Sequence, residues 1–238
     1  MTPAPVVRRP EQVPARPLAP GVTAAELLND QHGCRGLHQR LLRFADGAAL
    51  AGTAAGQGEA WYVIDGSGAL DTGAPEVTGL GPGTAVWMRD SVRYQCQPRS
   101  GQELTVLTVV LCAKSPGDDA RPEVCVASLE ACEPERAGDR EFRVLLSAGL
   151  AITQFAGLIP PGRAPEHHHA YDEVVHVLAG HGLVHLAGQA TGIGPGTSIY
   201  LPPGTPHCLE NRGPDPLQVL GVFYPAGSPA AKQATEGG

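Results

Sequence analysis

PGRAPEHHHAYDEVVHVLAGHG (residues 161–182) and GPGTSIYLPPGTPHCLEN (194–211) are the stretches whose reading decides the fold. In the first, His167, His169 and Glu173 stand at i, i+2 and i+6. Residues two apart on an extended strand share a face, so this even spacing points all three side chains the same way. Tyr171 falls on that face as well, whereas His168 and His176 fall on the other. Val174, Val175 and Val177 are β-branched and favour a strand over a helix. Two imidazoles and a carboxylate on one face suit a divalent first-row metal.

The second stretch supplies a fourth group, His207. Pro202, Pro203 and Gly204 mark a tight turn, because proline fixes φ and glycine permits positive φ. Such a turn folds the His207 strand back into the same sheet system. The two stretches together resemble the paired motifs of the cupin family. Gly162, His167, His169, Glu173 and Gly180 follow the first motif with one residue fewer after the first glycine, and Gly196, Pro202, Gly204, His207 and Asn211 meet the second in full. The resemblance implies a small jelly-roll β-barrel with a central metal, held by His167, His169, Glu173 and His207.

Working outward, the upstream half of the chain repeats this half. AWYVIDGSGAL, from Ala60, aligns with VVHVLAGHGLV, from Val174, which sets Glu59 against Glu173 and Gly66 against Gly180. GPGT recurs at 81–84 and 194–197, and LTVLTVVL (104–111) matches LQVLGVFY (217–224). The expected fold is therefore all-β, with two tandem jelly-roll cupin barrels. The first copy has lost the site: Thr53, Ala55 and Tyr94 stand where the second has His167, His169 and His207, and only Glu59 survives. A single carboxylate does not hold a divalent ion against water. Trp61, Trp87 and Tyr94 are expected to fill or line this first barrel.

The organisation read from the sequence has five parts. Residues 1–22 form a Pro-rich arm, 23–113 the degenerate barrel, 114–138 a linker, 139–226 the metal-binding barrel and 227–238 a tail. TAAELLNDQ (23–31) reads as a helical turn or two capped by Thr23, and a short helix is expected around ASLEA in the linker. The arm is expected to lie against the body or to strap a second subunit, and a homodimer is expected because an open sheet edge needs cover.

Composition narrows the function classes. The chain has 238 residues, enough for one large or two small domains, and its 31 glycines and 23 prolines favour turns between short strands over long helices. A net charge of −7 without a basic run argues against nucleic acid or an anionic membrane as partner. The N-terminus lacks the apolar core of a secretory signal, and no stretch nears a membrane span, so a soluble cytoplasmic protein is expected. The six cysteines have no CxxC or zinc-ribbon spacing and read as reduced thiols.

The resemblance implies an open, cationic centre that takes a small-molecule substrate. One divalent transition metal per chain is expected, Fe2+ first, with Mn2+, Ni2+, Zn2+ or Co2+ as alternatives. The leading reading is a non-haem iron dioxygenase acting on a small oxygenated metabolite. A redox-neutral isomerase, cyclase or lyase, and a non-catalytic ligand-binding bicupin, are the alternatives. Tyr171 and Gln154 are the candidate catalytic side chains.

Overall fold

The computed structural model describes residues 3–113 and 122–230. The first part of the chain forms β1 (Val6–Arg8), β2 (Arg16–Ala19), β3 (Val22–Leu28), β4 (Leu37–Phe44), β5 (Leu50–Thr53) and β6 (Gly58–Gly66). It continues through β7 (Gly68–Asp71), β8 (Thr78–Leu80), β9 (Thr84–Arg89), β10 (Arg93–Pro98) and β11 (Leu104–Leu111). Next come β12 (Val124–Ser128), β13 (Glu135–Ala137), β14 (Arg140–Leu146), β15 (Thr153–Ile159), β16 (Gly162–Arg163) and β17 (Asp172–Ala179). The last strands are β18 (Gly182–Leu186), β19 (Gln189–Ile193), β20 (Ser198–Leu201), β21 (His207–Asn211) and β22 (Leu217–Tyr224). No helix among the described residues is long and apolar enough to cross a membrane.

Each barrel pairs a seven-stranded sheet with a four-stranded one. The first has β12-β9-β6-β11-β4-β3-β2 and β5-β10-β7-β8; the second has β1-β20-β17-β22-β15-β14-β13 and β16-β21-β18-β19. The two lists match strand for strand, and the match includes an exchange. β1 precedes the first barrel in sequence yet pairs with β20 of the second, Val6 opposite Tyr200. β12 follows the first barrel's other strands and pairs with its β9, Val124 opposite Met88. Each added strand covers a sheet edge that would otherwise present unpaired backbone groups.

Several sequence expectations change here. Of the two placements expected for the arm, the structure has the one against its own chain: β1 pairs with β20 and β2 with β3. The stretch expected to be a linker contributes β12 and β13, with a single 3-10 turn at Leu129–Ala131; residues 114–121 of it, and 231–238 of the tail, lie outside the described residues. TAAELLNDQ is not helical at its start: Val22–Leu28 is a strand, with a 3-10 turn only at Asp30–His32. Its Ala25, Leu27 and Leu28 find an apolar layer to join, and β pairing with β4 overrides a weak helical preference.

The strands alternate between two environments. Phe44, Trp61, Leu70, Met88 and Val106 fill the first barrel, while Val175, Val177, Val184, Ile199 and Val219 fill the second. Between the barrels lies a third layer that joins Trp87 and Leu107 of one to Val174 and Val222 of the other. Trp87 therefore packs between the barrels rather than inside the first, as strand alternation from Val86 and Met88 requires. Gly58, at φ +143°, makes room for it, because a Cβ there would collide with the Trp87 ring. Replacing the fully buried Trp87 with alanine is expected to lower the unfolding free energy by about 3–5 kcal/mol in a denaturant titration. A loss below about 1 kcal/mol would mean that the two barrels are held together elsewhere.

Candidate metal centre

The two motif stretches meet through the backbone. His167 and His207 form an antiparallel bridge, with His167 N–H donating to the His207 carbonyl at 3.0 Å and the reverse bond at 2.9 Å. Residues directly opposite in such a bridge project to the same side. The Pro-Pro-Gly turn is pinned to the same segment, since Gly204 N–H donates to the His169 carbonyl at 2.7 Å. Asn211 fixes the far end of β21: its Nδ2 donates to the carbonyls of Ile159 and Asp215.

His167 and His169 do not lie on one continuous strand with Glu173. The chain bends at Ala170 and Tyr171, and β17 begins at Asp172. Convergence survives because the bend aims the His-X-His segment at the N-terminal end of β17, where Glu173 sits opposite Phe223 and Leu201. The Nε2 or Nδ1 atoms of His167, His169 and His207 can be chosen so that all lie within 4.8 Å of one another. Glu173 Oε2 is 3.7 Å from His169 Nε2 and 3.6 Å from His207 Nε2. His207 Nδ1 donates to the Thr205 carbonyl at 2.9 Å and His167 Nδ1 to the Pro165 carbonyl at 3.1 Å. A carbonyl can only accept, so these bonds put the ring proton on Nδ1 and make Nε2 the lone-pair nitrogen of both rings.

The electrostatics call for a cation. Glu173 is 5% exposed, and its Oε2 has no hydrogen-bond partner. Burial pushes its carboxyl up to about 8. Burial, with the neighbouring imidazoles adding to it, pulls His169 down to about 3, and burial likewise lowers His207. Three clustered imidazoles, two of them held neutral by burial, and one buried carboxylate with an unpaired oxygen fit a divalent transition metal.

A cleft with a cavity volume of about 70 Å³ runs from this centre toward solvent. Its walls are chiefly apolar: Phe155, Phe223, Val175, Leu201, Leu209 and Val219. Val175 and Leu209 follow ligands in the alternation seen in the sequence. Arg140 also lines the cleft, and no motif spacing in the sequence marks it. Its charge acts on Glu173, His169 and His207.

Neither candidate catalytic side chain lines the cleft. Gln154 sits on the opposite face of β15 from Phe155 and Gly157, which line the cleft. It registers beside Val222 and faces the layer between the barrels, fully buried, with neither amide atom paired. Gln39 holds the matching position on β4, with the same burial and the same lack of a partner. Tyr171 stacks on His169 at a ring separation of 5.0 Å and packs on Phe223. Its hydroxyl, pushed up to about 12 chiefly by burial, donates to the Ser228 carbonyl at 3.0 Å. Tyr171 thus holds the 225–230 segment beside the cleft, and Pro229 of that segment reaches the lining.

In the first barrel, the register sets Gly52, not Thr53, opposite Tyr94. The Tyr94 ring covers Gly52 and meets Trp61 edge-on at 5.1 Å, filling the space that imidazoles hold in the second barrel. Arg40 Nη2 reaches the buried Glu59 at 3.0 Å, so the surviving carboxylate has a guanidinium as its cation.

The chain thus holds two jelly rolls, with a histidine-rich centre in the second. Residues 156–223, in the second barrel, match the family described as the cupin domain. An uncharacterized protein of Methanocaldococcus jannaschii is 40% identical over 58 residues, 24% of this chain and 46% of that protein. The mannose-1-phosphate guanylyltransferase ManC of Salmonella typhimurium is 43% identical over 56 residues, 24% of this chain and 12% of that enzyme. The aligned stretch thus spans less than half of either curated relative. Among solved structures, protein Ylba from E. coli superposes with a TM-score of 0.77 at 12% identity, covering 94% of this chain and 92% of that one. Oxalate decarboxylase from Bacillus subtilis gives 0.74 at 15% identity, covering 93% and 77%. At these identities the likeness shows the fold alone.

One divalent metal is expected per chain, and His207→Ala or Glu173→Gln should abolish it; elemental analysis finding two equivalents, or one in His207→Ala, would contradict this assignment. The stabilisation given by metal should also depend on pH. Without a cation the fold favours the protonated Glu173 acid, a contribution present below the ordinary value of 4.5 and lost as pH rises through about 8. A bound cation removes that preference. The rise in Tm on adding metal should therefore grow between about pH 5.5 and 8. A gain that stays flat or shrinks over that range would count against Glu173 as a ligand.

Proposed function

We propose that the protein is a metal-dependent dioxygenase acting on a small oxygenated organic molecule, with Fe2+ as the first metal to test. The observation that carries this reading is the composition of the cleft wall. Apart from the ligands, its titratable side chains among the described residues are Arg140, which stays protonated, and Glu141. Glu141 is engaged by Arg136 and Arg143, each at 3.8 Å. An isomerase, cyclase or lyase needs a positioned acid and base beside the substrate. Oxygen insertion asks the protein for a dry, apolar enclosure and two reactants held together.

When bound, the metal supplies a cationic, redox-capable centre with open coordination positions. The chain's own residues do the rest. His167, His169, His207 and Glu173 hold the centre at one end of the cleft. Phe155, Phe223, Leu201 and Leu209 exclude water and keep the local dielectric low. Tyr171 keeps the Ser228 segment against the mouth, limiting solvent entry from that side. The fold likeness to oxalate decarboxylase, whose Mn(II) centres are described for that enzyme, makes Mn2+ the second metal to load.

An oxygen electrode decides the matter with protein loaded in turn with Fe2+, Mn2+ and Zn2+. The panel is a set of enediols, catechols and flavonoid-like phenols, each with and without a carboxylate. O2 uptake equal to product formed, ceasing in an anaerobic chamber and absent with Zn2+, is expected. Undiminished turnover under argon would assign a redox-neutral reaction with the metal as Lewis acid.

A further inference from the structure

Arg140 opens β14 and pairs through its backbone with Ala137 of β13. Its side chain enters the cleft that the metal ligands occupy. Its Nε and Nη2 atoms are buried, and neither has a hydrogen-bond partner. Other partly buried arginines are served: Arg40 by Glu59, Arg89 by Glu123 and Arg143 by the Cys132 carbonyl. Among the described residues no carboxylate stands within ion-pair reach of Arg140; the nearby Glu141 is taken up by Arg136 and Arg143. A guanidinium with two buried, unpaired nitrogens and no carboxylate in ion-pair reach is costly, and it is retained here at a cleft rather than in a packed core.

The charge balance of the loaded site points the same way. Three neutral imidazoles and one carboxylate leave a divalent ion with a net positive charge, and Arg140 adds a second at the same apolar cleft. We infer that the substrate is an organic acid whose carboxylate is received by Arg140, with its apolar body along Phe155, Phe223 and Leu209. A carboxylate edge matches the parallel N–H pair of one guanidinium. A phosphate dianion would leave charge unmet beside Glu141. The inference rests on reading this cleft as the substrate site, and it makes Arg140 the residue that selects the acid.

The test is direct binding to zinc-loaded protein, which requires neither O2 nor turnover. 3-Phenylpropionate and its neutral amide are titrated calorimetrically into the wild type, Arg140→Lys and Arg140→Met. The carboxylate should bind the wild type about tenfold to a hundredfold more tightly than the amide. Arg140→Met should lose that preference while leaving amide binding and metal content unchanged, and Arg140→Lys should keep part of it. Equal affinity for acid and amide, no acid binding at millimolar concentration, or an unchanged preference in Arg140→Met would each overturn the inference. The last outcome would place the acid on the metal alone. Failure of the oxygenase reading leaves this measurement untouched, and the reverse also holds.

Discussion

Glu173 carries the constraint on which the second barrel depends. Its carboxylate is buried beside imidazoles that burial itself keeps neutral, so no side chain among the ligands can supply the balancing charge. A buried anion in that position either takes up a proton or finds a cation. Its surroundings are arranged for the cation. The Nδ1 bonds of His167 and His207 to backbone carbonyls turn both Nε2 lone pairs outward, and the backbone bridge between the same residues holds the two motif segments in register. The rigid part of the centre is therefore backbone, and the side chains need little freedom to complete it.

The first barrel meets the same constraint by another route. Glu59 is as deeply buried as Glu173, and it has kept its place on the matching strand β6. Arg40, from the neighbouring sheet position, brings a permanent cation to it, while Tyr94 and Trp61 occupy the volume that imidazoles would need. A covalently attached charge cannot dissociate, so this barrel stays compact without a metal. The exchange of β1 and β12 then ties the two solutions into one unit. Each barrel is closed by a strand lying N-terminal to the other barrel's core, and the layer through Trp87 and Val174 leaves neither barrel with an open apolar face.

The legible parts of the sequence are those governed by short-range rules. The Gly, Pro and His spacings of 161–211, and the repeat that places Glu59 against Glu173, made the two barrels and the cluster of His167, His169 and His207 legible. Less legible were features set by long-range pairing. TAAELLNDQ has helical residues but lies beside β4, and the supposed linker holds β12 because an edge of the first barrel was waiting for it. The even spacing from His167 to Glu173 suggested one strand, yet the bend at Tyr171 breaks it, and the convergence comes from the cross-strand bridge instead. Gln154 sits one residue from Phe155, and in a strand that single step exchanges the cleft for the space between the barrels.

Arg140 carries no such short-range signal. Polar residues announce themselves in a sequence when they recur at a spacing, as the histidines do, whereas Arg140 stands at the start of β14 with no partner in the motif. Only the sheet order β22-β15-β14 brings it round to the ligand end of the cleft. Its lack of a carboxylate then separates it from Arg40. Both are cations near a barrel's buried glutamate, but Arg40 is used up by that glutamate, and Arg140 stands where a bound metal would take the glutamate instead. The charge balance that silences one barrel thus leaves the other with an unmatched guanidinium facing its own cleft, and a site so arranged discriminates by charge before it discriminates by shape.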